Sequence, residues 1–278
     1  MFLANFLIGL REGLEASMVV MILVAFLVKS KRREFLPQVW LGVVAALAAT
    51  ITAFLVIQFG TKTLTSQGQE LVGGIFSIVT VALVSFMLLW MRGASKNMAA
   101  DLNNKMGEAI TVGKGAVISV AFIAVIREGI ETALLVFDSF SYGNSTIPAV
   151  GLSLGIVISV VVAWGMYKGA VRVNLGRFFQ VTGALLIVVA AGILRYGITD
   201  LQEANVLPGL NSLAFDISHI IAPGTTVATV IEGIFNLVPA PTALSMIAWA
   251  AYLVVALWLF FKPAKQAVTP KAQAPVPA

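Results

Sequence analysis

Residues 2–28 read FLANFLIGLREGLEASMVVMILVAFLV, and residues 116–140 read AVISVAFIAVIREGIETALLVFDSF. Each run is long enough to cross a bilayer as a helix, which takes about 20 apolar residues. Each also carries the same charged pentapeptide near its centre: Arg11-Glu12-Gly13-Leu14-Glu15 in the first and Arg127-Glu128-Gly129-Ile130-Glu131 in the second. One ionisable group inside a membrane span costs roughly 2.5–3.5 kcal/mol on insertion scales. The chain has only 13 acidic residues, and four of them stand where they are most expensive. Charges repeated in one order at that cost mark a functional site.

The rest of the chain agrees with a membrane setting. It is 59% hydrophobic and only 11% charged, against about 25% charged in a soluble domain, and its mean hydropathy is +0.96. One soluble core cannot absorb that much apolar surface. Windows of about 20 apolar residues place spans near 2–28, 38–59, 70–91, 116–140, 146–167, 178–198 and 244–261. The expected fold is an all-α integral membrane protein of seven transmembrane helices. Residues 1–261 are expected to make one transmembrane domain, and 262–278, rich in Pro, Ala and Lys, read as a disordered cytoplasmic tail. Residues 1–28 are not a cleaved leader, because they lack a basic beginning and three charges interrupt the apolar run.

Basic residues set the orientation. Lys29, Lys31, Arg32 and Arg33 lie in the 29–37 connection, and Arg92, Lys96, Lys105 and Lys114 in the 92–115 connection. Lys168, Arg172 and Arg177 occupy 168–177, and Lys262, Lys265 and Lys271 the tail. All fall on one side of a seven-span chain, and Lys62 alone falls on the other. The positive-inside rule puts that side in the cytoplasm of a cytoplasmic (inner) membrane protein, with the N-terminus outside. The net charge of +5 is thereby explained without nucleic acid.

The two motifs are three spans apart. Three is odd, so the units holding them run in opposite directions, as two inverted three-helix repeats (1–92 and 115–198) followed by a seventh helix (244–261). Each motif begins roughly ten residues into its span, about 15 Å at 1.5 Å per residue, near the middle of a ~30 Å hydrocarbon layer. Both can meet at one depth, the arrangement of many secondary transporters. Small-residue spacings, Gly9 with Gly13 and Gly151 with Gly155, offer close helix crossings.

Residues three and four apart share a helix face. Glu12 and Glu15 therefore point together with Arg11 beside them, and Glu128, Glu131 and Arg127 repeat the set. Gly13 and Gly129 let neighbouring helices come close. Four carboxylates against two guanidinium groups leave negative charge for a cation. Hard oxygen donors suit Mg²⁺, Ca²⁺, Mn²⁺ and iron. A proton relay, and plain Arg–Glu pairing inside each helix, are the competing readings. No Cys is present and the single histidine is His219, which excludes thiolate sites and a bis-histidine haem. Nine methionines scattered among apolar spans read as filler. No H-E-x-x-H and no phosphate-cradling loop occurs, so the chain is read as a transporter and not an enzyme.

The doubled R-E-G-L-E pentapeptide in a seven-span chain resembles the oxidase-dependent high-affinity iron permease family. Trp90-Met91-Arg92, Arg172-Val173-Asn174-Leu175-Gly176, Ala214-Phe215-Asp216 and Glu232-Gly233-Ile234-Phe235 also look like that family, less specifically. The resemblance implies iron import, with Glu12, Glu15, Glu128 and Glu131 as ligands of the passing ion. It implies no permanently bound cofactor, iron (Fe³⁺ or Fe²⁺) being the substrate, and an extracytoplasmic iron-binding or oxidase partner. A proton-coupled carrier of another hard divalent cation or a small solute is the alternative. Outside, the 199–243 connection holds Asp200, Glu203, Asp216 and Glu232 without any Lys or Arg, and Glu70 and Asp138 lie at outer span ends. A vestibule of one sign concentrates the opposite ion. Residues 211–222 and 225–238 are apolar enough to be short interfacial or re-entrant helices, and His219 reads as a hydrogen-bonding residue, a transient ligand role being the alternative.

Overall fold

A computed structural model describes residues 2–61, 63–94, 98–141, 146–170, 174–222 and 237–262, with the single positions 225, 228 and 231. These residues form eight α-helices of 15 residues or more: α1 (Phe2–Lys29), α2 (Leu36–Thr61), α3 (Ser66–Ala94), α4 (Met98–Val112), α5 (Lys114–Ser141), α6 (Thr146–Tyr167), α7 (Leu175–Glu203) and α8 (Ala243–Phe261). Seven of them match the seven predicted spans to within a few residues. α2, α3, α6, α7 and α8 are long and apolar enough to cross a membrane by length and composition alone. α1 and α5 have the length, 28 residues each, or about 42 Å at 1.5 Å per residue, but carry the motif charges. The chain is a multi-pass membrane protein.

α4 is the element the span reading missed, since 92–115 was expected to be a connection. Its polar residues, Asp101, Asn103, Asn104, Lys105 and Glu108, leave it too hydrophilic for a span. Leu102, Met106 and Ala109 nevertheless recur at helical spacing on one face, and Met106 and Ala109 are buried against α1 and α5. Gly113, at φ 131°, ends it in a conformation that favours glycine and turns the chain directly into α5. Side-chain caps begin two later helices: Asn174 accepts from the Arg177 backbone N–H at 3.0 Å, and Thr242 from that of Ser245 at 3.3 Å.

The dominant helix pairs are α1 with α6, α2 with α5, and α3 with α7, while α8 lies on α7. Small residues set these crossings. A Cβ at Gly151 would stand 2.6 Å from the Phe2 carbonyl oxygen, and one at Gly42 would stand 2.6 Å from that of Ile118. Gly9 and Gly13 of α1 face Leu152, Ile156 and Ser159 of α6, so the two glycine spacings singled out in the sequence are partners in one crossing. On the outside of the bundle, Leu41, Val44 and Val56 of α2 and Val157, Val161 and Trp164 of α6 are exposed. Apolar surface of that kind suits lipid.

Two apolar clusters fill the interior. One joins Ile8 of α1 with Val84 and Met87 of α3, Leu135 of α5 and Leu186, Ala190 and Ile193 of α7. The other joins Val19, Leu23 and Leu27 with Val39 and Val43, Met106, and Val117, Ala121 and Val125. On α1 the motif lies between Ile8 and Val19, and on α5 between Val125 and Leu135. The charges thus form a layer between two dry cores.

The 211–222 segment is not the helix expected from its apolar content. Its backbone pairs with the approach to α8: the N–H groups of Ala214 and Ile217 donate to the carbonyls of Pro241 and Pro239 at 2.9 and 3.0 Å, and Ala243 N–H donates to Ser212 at 2.7 Å. Leu213 and Thr242 form an antiparallel bridge. Asp216 accepts from Ser218 N–H and its hydroxyl, local bonds that compete with a helical backbone. Most of 225–238, and the tail from 263, lie outside the described residues.

Candidate functional site

α1 and α5 lie side by side at the motif layer, and each packs on a further helix through its motif glycine. Gly13 lies on Ser159 of α6, and Gly129 on Thr50 of α2. Neither Ser159 nor Thr50 was singled out from sequence. A hydroxyl in an apolar span carries no signal until its neighbour is known.

Within the layer, one carboxylate oxygen from each of Glu12, Glu15 and Glu128 lies within 4.8 Å of the others, and all three residues are buried. The three carboxylates therefore come from two helices, α1 and α5. Arg11 bridges its own copy, with Nη1 2.5 Å from Glu12 Oε1 and Nη2 2.9 Å from Glu15 Oε1. Nη2 also donates to the thioether of Met87 on α3 at 3.3 Å. Arg127 stands 2.9 Å from Glu128 Oε1 and 3.6 Å from Glu131 Oε1. Glu131 lies at the edge of the three-carboxylate cluster and is partly exposed. Met87 is the member that filler status concealed: a methionine in an apolar span looks the same whether or not a guanidinium rests on it.

The Oε2 atoms of Glu12, Glu15, Glu128 and Glu131 are buried and have no hydrogen-bond partner among the described residues. Buried carboxylate oxygens without partners are costly. Three of these carboxylates, Glu12, Glu15 and Glu128, lie close enough together that they could hold a metal ion.

The predicted outer acids divide. Glu203 ends α7 close enough to Glu70, in the first turns of α3, for the two carboxylates to repel. Gln67 joins these ends, its amide donating to the Ala204 carbonyl at 2.9 Å. Asp200, expected in a loop, is buried in the last turns of α7. Its place on a helix face that packs against α3 removes it from the surface. Asp216 is fully exposed, and the Ser218 hydroxyl and N–H hold its carboxyl below the usual range. Asp138 belongs to α5, but its side chain, like all of Glu232, lies outside the described residues.

Comparison with known proteins decides the family. Residues 2–266 match the model of the iron permease FTR1 family. The chain belongs to that family. Relatives called ferrous iron permease EfeU are 32% identical: that of Yersinia pestis over 261 residues, covering 93% of both chains, and that of Escherichia coli O6:H1 over 267 residues, covering 95% of this chain and 97% of the other. No solved structure matches the chain. Membership makes this permease a transporter and not an enzyme, and it agrees with the resemblance carried by the pentapeptides.

Proposed function

We propose that this permease imports iron across the cytoplasmic membrane through the glutamate layer between α1 and α5. The observation that carries the reading is the convergence of Glu12, Glu15 and Glu128 within 4.8 Å, from two helices, between two apolar cores. Glu131 completes the ligand set when the helices shift. The relatives' shared name supplies iron as the cargo. Carboxylate oxygens suit the hard Fe³⁺ ion, and the family resemblance implies its oxidation outside by a separate extracytoplasmic protein that hands it to the outer acids. Arg11 and Arg127 keep the layer's charge tolerable between ions.

The reading includes an architecture of two inverted three-helix units, α1–α3 and α5–α7, with α8 added. Its support is pairwise. Interchanging the units turns the α1–α6 crossing into α2–α5 and leaves α3–α7 paired with itself, and these are the three dominant packings. The correspondence reaches single residues. Gly13 on Ser159 matches Gly129 on Thr50, and Gly151 on Phe2 and Phe6 matches Gly42 on Ile118 and Phe122. The N-terminus lies outside and the C-terminus in the cytoplasm, on the charge distribution given above.

Uptake of radiolabelled iron in cells lacking other iron importers tests the proposal, with Mg²⁺, Mn²⁺ and other divalent ions as competitors. Glu15→Ala and Glu131→Ala are each expected to abolish accumulation while membrane insertion is retained. Normal accumulation in both variants sinks the ligand assignment, and uptake blocked equally by any divalent ion sinks iron as the cargo.

A further inference from the structure

α8 packs mainly on α7, and between it and α3 the helices leave an apolar groove of about 340 Å³. That is the small end of ligand-pocket volumes, roughly 300–1,000 Å³. Its walls include Leu88 and Leu89 of α3 and Ala251 and Val255 of α8. Leu88 is buried, whereas Leu89 and Val255 are 41% and 54% exposed. The groove therefore opens on the outside of the bundle, where this multi-pass protein meets hydrocarbon.

The two ends of the groove differ. At one, the hydroxyls of Tyr252 and Ser85 lie 2.8 Å apart, and the Ser85 hydroxyl donates to the Val81 carbonyl at 2.6 Å, so Tyr252 is the donor of the pair. Both hydroxyls are engaged within the protein, and the surface left to an occupant is apolar. The other end points along α8 towards its last turn. Val255 and Lys262 are seven residues apart, two turns along one face. The Lys262 Nζ lies 4.7 Å from the centre of the Trp258 ring, and Trp258 is 60% exposed. Tryptophan and lysine at the end of a span stand at the headgroup level of a bilayer. The groove thus runs from hydrocarbon depth to a cation at the membrane surface. We propose that it binds one acyl chain of an anionic phospholipid whose headgroup phosphate meets Lys262. The bilayer supplies a chain that matches the walls, and the lysine selects the sign of the headgroup. A chain held there fills the gap between α8 and α3. The proposal does not depend on the reading of the glutamate layer.

The test counts bound lipids by native mass spectrometry. Purified permease is stripped of lipid in detergent, then titrated with phosphatidylglycerol or with phosphatidylcholine of the same acyl chains. One phosphatidylglycerol is expected to bind roughly fivefold more tightly than phosphatidylcholine, the effect of one lysine near an anionic headgroup. Lys262→Ala should remove that preference. Lys168 lies over Trp164 at the end of α6 in the same manner, 5.4 Å from the ring centre, but α6 does not line the groove. Lys168→Ala should therefore leave the preference intact. Ala251→Phe adds bulk at an exposed position of the groove and should abolish the tight binding of both lipids. One variant acts on the headgroup and the other on the wall, so misfolding of either leaves the other to decide. Equal affinity for the two lipids in the native chain, an equal loss in Lys168→Ala, or phosphatidylglycerol retained by Ala251→Phe overturns the proposal. So does a dimer of the native chain that Ala251→Phe dissociates, since a second copy would then cover the groove.

Discussion

At the scale of single residues, the site is an arrangement of carboxylates held in place at a cost. Each motif glutamate has a buried Oε2 atom without a hydrogen bond, so shortening a side chain by one methylene withdraws a donor that nothing nearby replaces. Glu12→Asp or Glu128→Asp is expected to reduce the maximal rate of iron uptake at least tenfold, with the amount of inserted protein unchanged; uptake kinetics normalised to membrane content checks this. The outer acids should behave differently. Glu70→Gln with Glu203→Gln removes a repelling pair at the facing ends of α3 and α7, and is expected to raise KM for iron more than it lowers the maximal rate. An unchanged KM would count against a funnel. Asp200 is left out of that test because it is buried, and its neutralisation should register in stability.

Among the helices, glycine decides which pairs pack closely. At Gly42 and Gly151 a side chain would run into the backbone of the partner helix, where nothing flexible can yield. Gly42→Leu and Gly151→Leu should each destabilise the bundle by more than the roughly 1–3 kcal/mol typical of overpacking. Loss of monodisperse protein on heating in detergent, at a lower temperature than the native chain, reads this out. α4 makes a separate prediction. Met106 is fully buried where α4 meets α1 and α5, so Met106→Ala should cost about 2–5 kcal/mol, measurable in the same assay. A native melting curve for that variant would show that α4 merely rests on the bundle. Element by element, the spans were legible because a bilayer demands length and apolarity, and both are visible in composition. α4 was not: its apolar face, Leu102, Met106 and Ala109, is short and mixed with charges, and only the cavity it fills at the ends of α1 and α5 gives it a reason to fold. The 211–222 segment failed in the opposite direction. Its apolar residues suggested a helix, but the strand-like partner at 239–242 is distant enough in sequence to be invisible locally.

For the whole molecule, the proposed pair of inverted units meeting at a charged layer would explain why one pentapeptide occurs twice. If the layer is the path of the ion, orientation matters, and a reporter fused after Phe261 should be active only in the cytoplasm; activity outside would invert the proposed orientation. The sequence by itself determined the membrane setting, the long helical segments, the twin motifs, their spacing and the oxygen-donor chemistry of their side chains. Those follow from the cost of burying charge in hydrocarbon and from the fixed periodicity of a helix, which act on each segment alone. Only the tertiary structure decided that three of the four glutamates converge while Glu131 stands at the edge, that Asp200 is inside, and that Met87 touches Arg11. Such differences arise from what neighbouring helices bring to each face, which local sequence cannot encode.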